Sequence, residues 1–276
     1  MTNWTRILAC LLALLCLLAR GGAVSAQQED YSHFCDELKN SGLEIVDSGV
    51  AYGVPFVRVR IPQGSSITAI CGALTAYDSQ FESCRNRLAF FNALNPSYIK
   101  TTTEEPNSIT ANTLKIPLDL RMVPEVFSEH KESLEAYEKY LLVDVGKGFL
   151  ALYANGDLQR VFPISAGVSG KRTPLTDFRI EDKDENHWSS IYDSWMPWAL
   201  HVEGPYYIHG GVLPGKADSH GCVRLRIADA KKLYKLVEVG TPGRIIDTPK
   251  ADRDIYPAPF CRGSEAPGPV LPEGAE

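Results

Sequence analysis

The sequence predicts a mostly β chain preceded by a small mixed module, and three observations carry that prediction. Tyr140 to Val168, "YLLVDVGKGFLALYANGDLQRVFPISAGV", reads as three strands joined by hairpin turns at Gly146-Lys147-Gly148 and Asn155-Gly156-Asp157. After it only one clear helix stands out, "IADAKKLYKLVEV" from Ile227 to Val239. Before it, two strand-like runs flank two short helices.

Met1 to Ala26 reads as an export signal. Arg6 precedes the thirteen-residue apolar run Ile7 to Ala19, and Val24 and Ala26 sit where small residues precede a cleavage site, so the mature chain begins near Gln27. A retained anchor is disfavoured because a span needs ~20 apolar residues. Cys10 and Cys16 lie inside the run, too early for a lipoprotein signal. No other long apolar run follows, so no membrane span is expected after cleavage. Removing Arg6 and Arg20 leaves 26 basic residues against 34 acidic ones, a net charge of −8. Such a chain has no general attraction for nucleic acid or an anionic bilayer; a polar, uncharged or mixed-charge partner fits better.

Residues 27–124 form the amino-terminal region. "VPFVRVRIP" (Val54 to Pro62) alternates like a strand, and "GSSITAICGAL" follows as a Ser-capped short helix. "CRNRLAFFNALNP" (Cys84 to Pro96) is a second helix stopped at Asn95-Pro96, and "NTLKIPL" (Asn112 to Leu118) returns as a strand. The order is a βααβ module. Pro106, Pro117 and Pro124 punctuate its end, and the charged stretch at 125–139 is expected to be a linker helix. The β-rich unit spans 140–247, with further strands at "TDFRIED", "PYYIHGG" and "GTPGRIID"; 248–276 is a Pro-rich, irregular tail. The order "VRIPQGSSITAIC", "FFNALNP", "ITANTLKIP" (57–118) resembles the LysM fold, which implies a glycan-binding module. Ser65-Ser66 replace its usual Asp-Thr, Asn112 replaces its closing glycine, and about twenty extra residues are inserted.

Five cysteines survive cleavage: Cys35, Cys71, Cys84, Cys222 and Cys261. In an exported chain an odd count implies disulfides plus one spare thiol. Cys71 and Cys84 sit in the two helices of one module, and Cys35 and Cys261 near opposite ends of the mature chain. With Cys222 set aside as the candidate nucleophile, the other four allow three connectivities, and the expected pairs are Cys71–Cys84 and Cys35–Cys261.

That thiol lies in "HGGVLPGKADSHGCVRL", His209 to Leu225. Three readings compete. Metal ligation by His209, His220 and Cys222, with His201, lacks CxxC or HxxxH spacing, so no metal is expected. A buried loop cysteine beside satisfied histidines is the bland reading. The third is a nucleophile with its base: attack requires the thiolate, and a nearby histidine can take the proton and return it to a leaving amine. Successive N–H groups of "SHGC" could converge on an oxyanion.

"YYIHGG…ADSHGCVRL" resembles the signature of the YkuD-type L,D-transpeptidases, and the resemblance extends over Tyr140 to Asp247. It implies a β-sandwich-like catalytic domain, no cofactor, and acyl transfer from peptidoglycan stem peptides. Cys222 would be the nucleophile and His209 the base, oriented by the Gly210 carbonyl. His220, Gly221 and Cys222 would supply oxyanion N–H groups, Ser219 would shape the turn, and Arg224 would grip substrate or pin the loop. The chain departs from the family at Thr176, where a glycine is usual, and in a short His209-to-Ser219 interval. The implied partners are stem peptides and glycan strands in the periplasm or cell wall. The acceptor is left open between a stem peptide, an outer-membrane protein's lysine, and water (a carboxypeptidase or amidase). A non-catalytic wall-binding protein is the alternative of another class.

Overall fold

The computed structural model describes residues 31–62, 67–74, 81–93, 113–119, 124–248 and 261. The expected signal at 1–26, Ser65-Ser66, Asn95-Pro96, Pro106, Asn112 and the tail apart from Thr248 and Cys261 lie outside them.

A short helix, α1 (Ser32–Asn40), buries Phe34, Cys35 and Leu38 on one side. It leads into β1 (Glu44–Ala51), which pairs antiparallel with β2 (Val54–Arg60). Their two-residue turn, Tyr52-Gly53, has positive φ at both positions (51° and 77°), matching the right-handed strand twist. Helices α2 (Ile67–Ala73) and α3 (Phe81–Phe91) follow, and β3 (Thr113–Pro117) pairs antiparallel with β2. A three-stranded sheet thus replaces the two strands expected. The sequence hid β1 because it is an edge strand with Val46 and Val50 left exposed.

Cys71 and Cys84 bridge α2 to α3, with Cα atoms 5.9 Å apart; Cys35 is bridged to Cys261, 226 residues away. Each bridge contributes about 2–4 kcal/mol by restricting the unfolded chain. Among the described residues Cys222 is the free cysteine. Alkylation of the denatured, unreduced mature protein should therefore add one label, at Cys222, as read by intact mass. More than one label would show a bridge to be absent.

The second half is mostly β, as expected. Strands β4 (Tyr140–Asp144), β5 (Phe149–Ala154), β6 (Asp157–Ser165), β7 (Asp177–Arg179), β8 (Asp182–Ser189), β9 (Ser194–Glu203), β10 (Tyr206–Gly210), β11 (Val223–Leu225) and β12 (Pro242–Ile246) make one sheet. Its order is β7-β12-β4-β5-β6-β11-β10-β9-β8. Leu141 and Val143 of β4, Phe178 of β7 and Leu200 and Val202 of β9 share one core. Strands far apart in the order therefore meet, and the sheet is curled rather than split into two separate layers. Helix α4 (Ile227–Leu236) closes that core with Ala230 and Leu233. Burying a leucine such as Leu233 contributes roughly 1.5–3 kcal/mol.

Strand alternation gives β4 and β5 a second buried face. Tyr140, Leu142, Phe149, Ala151 and Tyr153 pack there with Val126, Phe127 and Leu134. Tyr52 and Phe90 of the amino-terminal module reach the same face: Tyr52 meets Phe149 edge to face at 5.6 Å and donates its hydroxyl to the Lys147 carbonyl at 2.9 Å.

The linker helix expected at 125–139 is not formed; one 3₁₀ turn, Glu132–Leu134, is its helical content. The backbone pairs sideways instead. Leu158 N–H donates to Glu129 O (2.7 Å), Lys131 N–H to Gly156 O (2.8 Å) and Asn155 N–H to Tyr137 O (2.9 Å). Covering an exposed apolar sheet face outweighs local helix propensity in this segment.

Candidate active site

The catalytic candidates come together where β10 and β11 run side by side. The two strands are parallel, with Ile208 opposite Val223 and His209 opposite Arg224. Cys222, one residue before β11, therefore stands beside Tyr207, two positions from His209. Residues two apart on a strand share a face, so Tyr207, His209, Cys222 and Arg224 project to one side of the sheet. Met196 and Ala199 of β9, with Tyr207, pack around Cys222.

His209 is 7% exposed, and its Nδ1–H donates to the Gly210 carbonyl at 2.9 Å. That bond fixes the tautomer with Nε2 as acceptor. Burial, with smaller contributions from Arg224 and His187, pushes its pKa down from 6.5 to about 4, against the opposing pull of the Gly210 bond. Cys222 is also 7% exposed, and burial raises its pKa; the Tyr207 backbone and Arg224 act the other way. At rest the pair is a neutral thiol beside a neutral imidazole. An imidazole unprotonated at Nε2 can accept a proton, so the arrangement is able to activate a thiol.

The turn before the thiol is held by Ser219, buried at the loop base. Its hydroxyl donates to the Cys222 carbonyl (2.5 Å) and accepts from Gly221 N–H (3.0 Å). The second bond corrects the expectation that Gly221 N–H serves an oxyanion: the Ser219 hydroxyl already takes it. Gly221 has φ +124°, and a Cβ there would lie 2.5 Å from Tyr206 Cε1. The turn is tied to the end of β6, since Asp218 and Ser219 N–H both reach Ala166 O and Val168 N–H reaches Ser219 O.

Sequence reasoning missed four supports. Asp218 pairs with Arg224 at 3.1 Å and holds the guanidinium. Ser165 donates to Lys216 O at 2.7 Å. Tyr207 is sandwiched between the rings of His187 (4.4 Å) and His201 (4.7 Å). Tyr192, in the β8–β9 turn, stacks on His220 at 5.0 Å and 13°, with its hydroxyl 3.4 Å from the His220 carbonyl. Only Tyr207 left a signal, its two-residue spacing from His209. His201, weighed above as a ligand, contacts Glu181 (3.0 Å) and Gly204 O (2.7 Å). Among the described residues no group of three His, Cys, Asp or Glu side chains could hold a metal ion. Thr176, at the departure from the family pattern, accepts Ile245 N–H at 2.8 Å and leads into β7.

Residues 138–245 match YkuD, the L,D-transpeptidase catalytic domain. The YkuD protein of Bacillus subtilis (strain 168) is 30% identical over 105 residues, 37% of this chain and 62% of its own length. That of Bacillus licheniformis is 32% identical over 103 residues, 36% and 59% respectively. The chain thus spans about three fifths of these curated relatives. An L,D-transpeptidase from Stackebrandtia nassauensis superposes with a TM-score of 0.44 at 19% identity, covering 67% of this chain and 91% of that one. One from Mycobacterium tuberculosis H37Rv gives 0.37 at 21%, covering 39% and 57%. The matched range contains His209, Cys222 and the whole turn between them, while residues 31–137 lie outside it.

The burial of His209 has a pH consequence. Its folded pKa of about 4 lies below the unfolded 6.5, so between them the unfolded chain binds more protons. Stability contributed by the neutral imidazole is fully present above pH 6.5 and falls as pH drops toward 4. The loss amounts to about 3 kcal/mol. Urea midpoints at pH 7 and pH 4.5 should separate more in wild type than in His209→Gln; equal separations would contradict the assignment.

Proposed function

We propose that the chain is an exported peptidoglycan L,D-transpeptidase working through a Cys222 thioester. The observation that carries this reading is the free, buried thiol one residue before β11, on the face of the sheet that also carries a buried histidine, whose Nδ1 is engaged by the Gly210 carbonyl and whose Nε2 is thereby left to accept a proton. His209 Nε2 takes the thiol proton as Cys222 Sγ attacks the L,D-amide carbon of a stem peptide. The tetrahedral oxyanion is met by the N–H groups of His220 and Cys222, since Gly221 N–H is engaged by Ser219. Collapse breaks the C–N bond, and the proton on His209 passes to the departing amine. An acceptor amine then attacks the thioester carbon and gives its proton to His209; the C–S bond breaks, and the proton returns to the departing thiolate. Arg224, held by Asp218, favours the thiolate by its charge. The LysM-like module would keep the enzyme on its polymer and raise the effective substrate concentration. Two disulfides with one spare thiol suit an oxidising compartment such as the periplasm or outer wall.

Mass spectrometry of a muropeptide digest, with the mature enzyme and with Cys222→Ala, tests the reading and names the acceptor. Cross-linked dimers indicate a stem-peptide amine, protein-linked muropeptides an outer-membrane or other protein amine, and shortened stems water. Identical digests with and without the wild-type enzyme would favour a non-catalytic wall-binding protein.

A further inference from the structure

The β8–β9 hairpin has two distinct faces. His187 and Met196 stand opposite each other in register and point to the catalytic side, where His187 stacks on Tyr207 and Met196 packs on Cys222. The next pair along, Trp188 opposite Trp195, therefore faces the other way. The two indoles meet edge to face at 4.8 Å and 69° and are 44% and 64% exposed. Trp198, further along β9, is by contrast covered by Tyr234 and Lys231. An indole is a large apolar surface, and a paired, uncovered set at a hairpin marks a contact site rather than a packing need.

Two features select the occupant. Asp182, Asp184, Glu185 and Asp193 belong to the same hairpin, so a nucleic acid or anionic bilayer is repelled. The hairpin that carries the pair also reaches the thiol site, because Tyr192 at its turn lies on His220. Under the function proposed above, on which this step rests, the peptide at Cys222 is tethered to a sugar. Three or four extended residues span about 10–14 Å, comparable with the roughly 10 Å thickness of a sheet layer. A stem peptide with its reacting amide at Cys222 can thus place its sugar at the rim of this hairpin. Uncharged N-acetylated pyranoses present flat C–H faces that stack on indole. We propose that Trp188 and Trp195 form a sugar-binding surface for the glycan strand that carries the stem peptide.

The test uses the full mature chain. Titration with chitotetraose should give a saturable tryptophan-fluorescence change in wild type that is lost in W188A/W195A and largely kept in Trp195→Phe. Wild type should turn over a disaccharide-tetrapeptide about ten-fold more efficiently, in kcat/KM, than the sugar-free tetrapeptide. W188A/W195A should treat both alike, at the wild-type rate for the sugar-free peptide. Equal losses on both substrates, or a calorimetric chitotetraose stoichiometry unchanged in W188A/W195A, would overturn the proposal. So would phosphatidylcholine-vesicle binding or self-association through these residues without a sugar response. If wild type turns over neither peptide, the proposed function fails, and the calorimetric chitotetraose stoichiometry still decides this one.

Discussion

Replacing Cys222 with alanine is expected to remove acyl transfer, a loss of roughly 10⁴-fold or more, while leaving the fold intact. The other four mature cysteines are bridged, and among the described residues no second thiol faces His209. The substitution removes one sulfur from a packed but shallow site beside Met196 and Ala199, costing about 1 kcal/mol. His209→Ala should lose about 10²–10⁴-fold as a missing general base, and His220→Ala less, since its assigned contribution is a backbone N–H. The same variants can be read without peptidoglycan. A thiol that forms acyl-enzymes should take up one carbapenem, and intact mass should rise by one inhibitor on wild type but not on Cys222→Ala. Turnover by Cys222→Ala, or equal losses at His209 and His220, would sink the assignment.

Much of this site was legible because its chemistry is local in sequence. Cys222, Ser219, Gly221 and Arg224 fall within six residues, and His209 ends a strand whose apolar pattern is plain. The odd cysteine count required a spare thiol, the motif around Cys222 assigned it there, and the positions of the other four indicated the two bridges seen in the structure. Position alone does not say which groups are already engaged. Gly221 N–H looked available until the Ser219 hydroxyl claimed it. Other supports were hidden because they arrive from elsewhere: Ser165 from β6 and Ala166 just after it, His187 from β8 and Tyr192 from the hairpin turn.

The fold was legible where burial imposes a pattern and hidden where it does not. β4 and β5 are buried on both faces and read as strongly apolar runs. β8, "DKDENHWS", is an edge strand with a mainly solvated surface, so its residues carry no periodic signal. The segment at 125–139 misled for the opposite reason. Its charges suit a helix, but Val126, Phe127 and Leu134 are drawn to the outer face of β4 and β5, and the backbone follows them. Tertiary burial overrides local propensity there.

Gly221→Ala is expected to cost about 10²–10³-fold in kcat even though it touches no reacting group. Two effects add at this position. At φ +124° a residue with a Cβ is strained by about 1–3 kcal/mol. The new methyl would also sit 2.5 Å from Tyr206 Cε1 and 3.0 Å from Cδ1, so the ring or the turn must move. Relief through the turn would break the Ser219–Gly221 bond and swing the Cys222 N–H and thiol away from His209. Tyr206→Ala in the Gly221→Ala background separates the two, because it removes the clash and leaves the backbone strain. The double variant should recover some activity but stay well below Tyr206→Ala alone. Gly211→Ala is the control: the atoms nearest its Cβ would be the flexible stem of Arg224, at 3.1 Å from Cδ and 3.3 Å from Cγ. That change should cost far less, because an arginine stem can yield where a turn at positive φ cannot. Wild-type kcat in Gly221→Ala, or complete rescue by Tyr206→Ala, would show that the turn does not need its glycine conformation to aim the thiol.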